Sequence, residues 1–74
     1  MFDDDDIIEI RRFEVGAIVN NNRYTIKTTN DVEEATIAYE RATHSYRNVI
    51  DHVIIFMFDY DKGTNVNYYD SEVD

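Results

Sequence analysis

The chain of 74 residues holds few side chains suited to acid–base or nucleophilic chemistry. It has no cysteine, and its two histidines are His44 and His52. His52 follows Asp51, an order that suits a base with an orienting carboxylate, but adjacent residues of a strand point to opposite faces. Serine occurs only at Ser45 and Ser71, without the glycine-rich turn that exposes a nucleophile. The sequence therefore predicts that the protein is not an enzyme.

A second set of polar residues resembles the spacing of a calcium-binding loop: Asp59, Asp61, Gly63, Asn65 and Asn67. Gly63 falls at the fifth position of such a loop instead of the sixth, and no glutamate occupies the twelfth. The flanking segments have the pattern of strands, whereas a calcium loop of this kind joins two helices. A hairpin turn explains these residues better. The glycines form no phosphate-binding loop, so the sequence predicts no cofactor and no metal.

The charge of the chain is its strongest functional signal. Sixteen Asp and Glu against seven Lys and Arg give a net charge of −9, which repels nucleic-acid phosphates and anionic membranes alike. The predicted partner is a basic protein, and the alternative is that the acidity serves solubility alone. The predicted partner-binding acidic surface comprises Asp3, Asp4, Asp5, Asp6, Glu9, Glu14, Asp59, Asp61, Asp70, Glu72 and Asp74.

The apolar residues of the range 7–19 predict a strand with one irregularity. They change from even to odd positions between Ile10 and Phe13. A slip of one residue inside a strand is typical of a β-bulge, which we place near Arg11-Arg12 or, as the alternative, at Gly16.

Three consecutive asparagines, Asn20 to Asn22, predict the turn of a first hairpin, because asparagine tolerates positive φ. With the last two as the loop, Val19 faces Tyr24. In the same register Ala17 faces Ile26. Each pair joins two residues expected on the inner face, which supports this register.

An amphipathic helix of about residues 31–48 follows the hairpin. Asn30 is predicted to cap it, with Glu33 three residues later in a capping-box-like pattern. The apolar stripe of this helix recurs at intervals of three and four residues, and its two alanines allow close approach to a sheet. The stripe comprises Val32, Ala35, Tyr39, Ala42 and Tyr46.

Asp61-Lys62-Gly63 predicts the turn of a second hairpin, with Gly63 in a left-handed conformation. The register that follows places Phe58 opposite Val66. It also places Phe56 opposite Tyr68, so that apolar and aromatic residues share one face.

The element order is β-β-α-β-β in a single α+β domain of residues 1–74, with acidic, frayed ends at residues 1–6 and 70–74. A right-handed crossover through the helix places the third strand beside the first. This predicts a four-stranded antiparallel sheet in the order 2-1-3-4 with the helix packed on one face. The predicted core comprises Phe13, Val15, Ile26, Val32, Ala35, Tyr39, Ala42, Ile54, Phe56 and Phe58.

The segment Val53 to Phe58 is apolar at every position, which predicts either two covered faces or one face that meets a partner. Since one helix covers only one face, we expect Val53, Ile55 and Met57 on an open face, with Ile18 nearby. A homodimer is predicted to bury this face, because a chain of this length builds only a small core. The alternative is that a loop or tail folds over it.

The predicted strand order also bears on the acidic surface. In the order 2-1-3-4 the first and third strands are neighbours, so their acidic ends would merge into one negative surface. Alternate strand residues such as Asp59 and Asp61 lie ~7 Å apart, a repeat able to imitate a row of phosphates.

The segment Tyr24 to Phe58 runs from a strand through the acidic turn of residues 28–35 into a helix and then a strand. This plan resembles that of small phage-encoded inhibitors, in particular the Dmd antitoxins of T-even phages. The N-terminal aspartates and the acidic tail are similar instead to phage DNA-mimic proteins that block restriction enzymes, glycosylases or CRISPR effectors. The resemblance implies an inhibitor of a host protein.

Two functional hypotheses follow, with a plain homodimeric structural protein as a third. The first is an acidic inhibitor of a basic, nucleic-acid-handling host protein that mimics the DNA phosphate backbone. The alternative is an antitoxin-like or transcription-modulating phage protein that binds its partner through the exposed apolar sheet face. A cytoplasmic location is expected for two reasons. The chain begins with Met-Phe and four aspartates, whereas a signal peptide begins with basic residues. No apolar run has the length of a membrane helix.

Overall fold

The computed structural model describes residues 12–73, which form four strands and one helix. The elements are β1 (Phe13–Val19), β2 (Asn22–Thr29), α1 (Val32–Tyr46), β3 (Val53–Asp59) and β4 (Thr64–Asp70). All neighbouring strands are antiparallel and the sheet order is β2-β1-β3-β4, with α1 on one face. The predicted α+β fold and its strand order are confirmed. The predicted fraying of residues 1–6 lies outside the described residues.

The first hairpin turns one residue earlier than its predicted loop. Asn20 and Asn21 adopt positive φ angles of 51° and 73°, and Val19 faces Asn22. Two residues with positive φ match the right-handed twist of the flanking strands, which favours this two-residue turn. The predicted pairings of Val19 with Tyr24 and of Ala17 with Ile26 are therefore wrong, since Ala17 faces Tyr24.

The irregularity predicted for β1 lies at Gly16, but the extra residue belongs to β2. Val15 faces Lys27 whereas Gly16 faces Thr25, so Ile26 is the extra residue of the bulge. The side chains of β1 consequently alternate without interruption between the two faces of the sheet. The other position predicted for the bulge was Arg11-Arg12, of which Arg11 lies outside the described residues.

The N-cap of helix α1 lies one residue after the predicted cap. Asp31 is the N-cap, and its Oδ1 accepts a hydrogen bond of 2.8 Å from the backbone N–H of Glu33. The predicted cap Asn30 instead accepts a hydrogen bond of 3.2 Å from the backbone N–H of Arg12, which ties the helix start to the start of β1. A carboxylate at the N-cap also interacts favourably with the helix dipole.

The main core lies between α1 and the sheet, and it reverses the predicted orientation of β3. Val53, Ile55 and Met57, expected on the open face, are 0%, 0% and 1% exposed beneath the helix. Val15 faces Met57, and Ala17 faces Ile55, across the β1–β3 ladder. Directly opposite residues share a face, so the inward side chains of β1 bring this set of β3 inward. Their placement on an uncovered interface was wrong.

Two alanines allow α1 to approach this layer closely. Ala35 packs with Phe13, Val15 and Met57, and Ala42 packs in a second cluster with Ala17, Val53 and Ile55. Tyr39 contacts both clusters from the side and is half-buried. Of the remaining predicted core residues, Ile26 and Val32 are exposed, Ile54 and Phe58 are half-buried, and Phe56 is buried on the opposite face.

The second hairpin confirms the left-handed glycine and part of the predicted register. Gly63 has a φ of 70°, and Phe56 faces Tyr68. Phe58 faces Asn65 and not Val66, because the register of the β3–β4 ladder shifts by one residue between Met57 and Phe58. A second bulge thus mirrors the one in β2.

The predicted frayed end begins too early at residue 70. Asp70 is the last residue of β4, where it faces Ile54. Ser71 follows it, donating its backbone N–H to the Val53 carbonyl at 2.8 Å and accepting the Val53 N–H on Oγ at 2.9 Å. These two bonds hold the residues after β4 against the start of β3.

Candidate functional site

The sheet face opposite α1 is covered by no other element of residues 12–73. It carries the even-numbered residues of β1 and β3 and their partners on β2 and β4, because side chains alternate along a strand. We call it the open face and define it by Glu14, Ile18, Arg23, Ile54, Phe56, Phe58 and Tyr68. Ile18, Ile54 and Phe58 are half-buried, and Tyr68 is 55% exposed.

An open depression of about 400 Å³ lies in the middle of the open face. Its lining combines one carboxylate and one guanidinium with four aromatic rings. These residues are Glu14, Arg23, Phe56, Phe58, Tyr60 and Tyr68. Apolar surface beside a small number of fixed polar groups is the usual composition of a protein-binding or ligand-binding surface.

Glu14 is the polar centre of this depression, and its carboxylate is held by three donors. The Tyr60 hydroxyl donates to Oε1 at 2.5 Å. The Thr25 hydroxyl and the Arg23 guanidinium donate to Oε2 at 3.0 and 3.1 Å. Burial raises the pKa of the Glu14 carboxyl, but these bonds and the charge of Arg23 outweigh it, so the pKa lies below its ordinary value of 4.5.

The donors to Glu14 come from both sides of β1. Thr25 and Arg23 lie on β2, whereas Tyr60 follows β3 and is fixed by its backbone N–H, which donates to the Arg12 carbonyl at 2.8 Å. The Tyr60 ring meets Phe58 edge to face, with centroids 4.9 Å apart. The depression is therefore built on paired strands and their adjoining turn, which keeps its side chains in place.

Arg23 stacks on an aromatic ring as well as pairing with Glu14. Its guanidinium carbon lies 4.7 Å from the centroid of Phe56, within the range of a cation–π interaction. The Phe56 ring reaches this position by lying across Gly16, where a Cβ atom would collide with it. Gly16 is therefore what allows Phe56 to be buried on an otherwise open face.

Two carboxylates of the predicted acidic surface are internal. Glu14 is 7% exposed and Asp59 is 3% exposed. Asp59 accepts hydrogen bonds from the backbone N–H groups of Asp61 and Lys62, at 2.8 and 3.2 Å, and so stabilises the second turn. The prediction that Asp59 and Asp61 imitate successive phosphates is therefore wrong. Of the two, only Asp61 faces solvent, and it forms a salt bridge of 2.6 Å with Arg12.

A separate cluster of charged groups lies where β3 begins and β4 ends. The imidazole Nε2 of His52 lies 2.9 Å from Oδ1 of Asp70, and Nδ1 lies 3.8 Å from Oε2 of Glu72. The hydrogen bond from the Glu72 backbone N–H is the largest of the effects that lower the pKa of the Asp70 carboxyl. Burial, the next largest effect, raises this pKa, and the hydrogen bond and charge of His52 lower it further. Asp70, predicted as a free surface carboxylate, instead organises the turn after β4.

The acidity of the chain is unevenly distributed along the sequence. Residues 12–73 contain ten Asp and Glu against six Lys and Arg, so their net charge of −4 is less than half of the total. Within that range, Asp61 and Glu72 are the predicted acidic residues with exposed side chains. The others, Asp3, Asp4, Asp5, Asp6, Glu9 and Asp74, lie outside the described residues.

A second depression, of about 500 Å³, lies between α1 and β2. Its lining includes the exposed Ile26 and Ile37 together with Lys27 and Arg41. Sequence reasoning missed it because Ile37 falls outside the apolar stripe of the helix and Ile26 was assigned to the core.

The residues that line the depression around Glu14 and that sequence reasoning missed are Arg23, Tyr60 and Tyr68. One signal for Tyr68 was present, because the predicted register placed it opposite Phe56. No signal pointed to Arg23, since its role depends on the earlier turn and the bulge in β2. Ile18 was predicted near an open face, and it does lie on the open face that the structure shows.

Among residues 12–73, no three His, Cys, Asp or Glu side chains are arranged to hold a metal ion. Within the same range, no helix combines the length and the apolar character needed to cross a membrane. Comparison of the chain with protein-family models, with curated proteins and with solved structures finds no match in any of the three.

Proposed function

We propose that this chain is a non-catalytic binding protein that docks onto a basic, nucleic-acid-handling protein through its open face. The observation that carries the proposal is the open face itself, on which Ile18, Ile54, Phe58 and Tyr68 are partly exposed around a fixed polar centre. Large apolar and aromatic side chains gathered on one side of a small sheet mark a contact surface. We propose a cytoplasmic location, where such a partner acts.

Charge complementarity supports a basic protein as the occupant of this face. The net charge of −9 opposes a nucleic acid and equally opposes a second copy of the chain. A basic protein is attracted to the same charge, and such attraction accelerates association and selects partners. The acidity and the apolar face therefore have separate roles. The negative charge attracts the basic partner before contact, and the apolar side chains of the open face stabilise the complex once it has formed.

The structure favours this division of roles over phosphate mimicry as the source of affinity. Of the predicted mimic residues, Glu14 and Asp59 are internal and Asp61 and Asp70 have partners within the fold. A mimic needs a row of exposed charges with regular spacing. Mimicry is thus confined to the exposed Glu72 and to the acidic residues outside residues 12–73, whereas the open face lies wholly within that range.

Tyr68 and Tyr24 provide a matched pair for the test. Both are tyrosines on edge strands and both are 55% exposed, but Tyr24 faces Ala17 on the helix side whereas Tyr68 faces Phe56 on the open face. Tyr68→Asp and Tyr24→Asp therefore add the same charge at equal exposure on opposite faces. Circular dichroism first establishes that both variants fold.

The experiment captures a partner from a bacterial lysate with the unchanged chain and then measures its affinity for each variant after purification. We expect a basic partner whose bound DNA the chain displaces. Tyr68→Asp should weaken binding about a hundredfold, the effect of losing a central aromatic contact, and Tyr24→Asp should leave it nearly unchanged. Equal loss in both variants would refute docking through the open face. Loss only when Asp3 to Asp6 are changed to Asn would establish mimicry instead.

A further inference from the structure

We infer that the depression around Glu14 is a receptor for a cationic side chain, an arginine of the docked partner. This inference rests on the proposed function, since it names the chemistry by which the open face recognises a basic protein. The ligand class is a guanidinium that enters between Glu14 and the ring of Tyr68.

The Glu14 carboxylate has acceptor capacity left for such a group. An ionised carboxylate offers roughly four acceptor positions, and three are occupied by Tyr60, Thr25 and Arg23. Two of these donors share Oε2, and Oε1 receives the Tyr60 hydroxyl. An arginine that approaches Oε1 from solvent would form a charge-assisted hydrogen bond in a partly desolvated site, where such bonds are strongest.

The rings around Glu14 suit a planar cation. Phe58 and Tyr60 meet edge to face, and Tyr68 stands on the neighbouring strand with more than half of its side chain exposed. A guanidinium over the face of an aromatic ring gains a cation–π interaction, and it does so more often than an ammonium. The depression therefore offers a carboxylate and ring faces within one space, which matches arginine better than any neutral side chain.

The chain itself shows that this surface accepts a guanidinium. Arg23 bonds Glu14 and lies over Phe56, and its side chain remains 58% exposed. It approaches from β2 on one side of Glu14, whereas the proposed arginine approaches from β4 on the other. With one carboxylate between two guanidinium groups, the arrangement is a charge-alternating network of the kind that holds several arginines at one acidic centre.

The test uses the full-length, isotope-labelled chain and two short blocked glycine peptides, one with a central arginine and one with citrulline. Citrulline keeps the shape of arginine but carries no charge, so the comparison isolates the cation. We expect the arginine peptide to shift the NMR signals of Tyr60 and Tyr68 and to show contacts between its side chain and the Tyr68 ring. Citrulline should bind about tenfold more weakly.

Two variants separate the pocket from the general acidity of the chain. Glu14→Gln removes the central charge, and Glu40→Gln removes the same charge from an exposed position on α1. Binding of the arginine peptide should be lost in the first and retained in the second. Tyr68→Leu serves as a further test that leaves the Glu14 hydrogen bonds in place, and it should also lose most of the binding.

Three results would overturn the inference: equal binding of the arginine and citrulline peptides, shifts confined to residues 3–9, or unchanged binding in Tyr68→Leu. The proposed function fails by a different result, namely equal effects of Tyr68→Asp and Tyr24→Asp on the captured partner. If the arginine peptide does not bind as expected but Tyr68→Asp still weakens partner binding more than Tyr24→Asp does, the open face docks its partner without an arginine contact.

Discussion

Glu14 joins three parts of the fold through hydrogen bonds from Arg23, Thr25 and Tyr60. A buried carboxylate without partners would destabilise the folded state, and the three donors remove that cost. Gly16, its neighbour on the same face, contributes by lacking a side chain, so that Phe56 can lie across β1. At this scale a charged residue and a glycine determine the shape of the open face.

The hydrogen bonds to Glu14 predict a pH dependence of stability. The folded-state pKa lies below the ordinary value of 4.5, so the contribution of Glu14 is fully present above that pH and is lost as the pH falls through the folded-state pKa. Glu14→Gln should lower the free energy of unfolding by about 1–3 kcal/mol at neutral pH. The difference from the unchanged chain should shrink in urea unfolding at lower pH. A difference that is constant across pH would contradict an ionised Glu14.

Gly16→Ala should destabilise the fold through a collision with Phe56. The added Cβ would overlap Cζ of that ring and lie 2.8 Å from the carbonyl oxygen of Tyr24. We expect a loss of ~1–3 kcal/mol in chemical denaturation. Phe56→Leu should relieve part of it, so the two changes together cost less than their sum. Gly63→Ala is the control: its φ of 70° makes the change unfavourable as well, but no atom lies within 4 Å of the added Cβ, so its cost should be additive with that of Phe56→Leu.

Strand β3 is the element on which both faces of the molecule depend. Its residues alternate between the core beneath α1 and the open face, and both sets are apolar apart from the last residue, Asp59. The antiparallel ladder with β1 decides between them, because Ala17 faces Ile55 and Ile18 faces Ile54. The edge strands β2 and β4 each contain a bulge, which lets them curve around this central pair.

Adjacent isoleucines of β3 provide a direct test of this orientation. Ile55 is fully buried and Ile54 is half-buried, so Ile55→Ala should cost ~2–5 kcal/mol and Ile54→Ala clearly less. The chemistry of the two changes is identical, which makes the comparison independent of residue type. Urea unfolding measures both. An equal or reversed order would show that β3 presents its other face to the helix.

The whole molecule combines an open apolar face with a net charge of −9 that is concentrated outside residues 12–73. The homodimer predicted through Val53, Ile55 and Met57 cannot use those side chains, because α1 covers them. We expect any self-association to join two open faces instead. Charge repulsion between two copies opposes that contact unless salt screens it.

Sedimentation at low and high ionic strength tests this balance. We expect a monomer at low salt and a growing dimer fraction at high salt, since screening beyond ~10 Å is already effective at 0.1 M. Tyr68→Asp should suppress the dimer, whereas Tyr24→Asp should not. A dimer of equal strength at both salt concentrations would show that the interface lies elsewhere.

The sequence by itself determined the elements and their order. Apolar periodicity defined α1 to within two residues at each end, the asparagines and Gly63 marked the two turns, and the crossover rule placed β3 beside β1. These features depend on local conformational preferences and on the handedness of the chain, and both are encoded by neighbouring residues.

Tertiary structure alone decided which residues the protein presents to a partner. The unbroken apolar run of residues 53–58 in β3 fits either orientation, so only the pairing of β3 with β1 placed Ile55 inside and Ile54 on the open face. From the sequence alone, an Asp or Glu is also predicted to be a charged surface residue. Glu14 and Asp59 proved internal because donors distant in sequence, or the backbone of the next turn, converge on them in the folded chain. Side-chain contacts across strands are not a property of any local segment, which is why the open face emerges only from the fold.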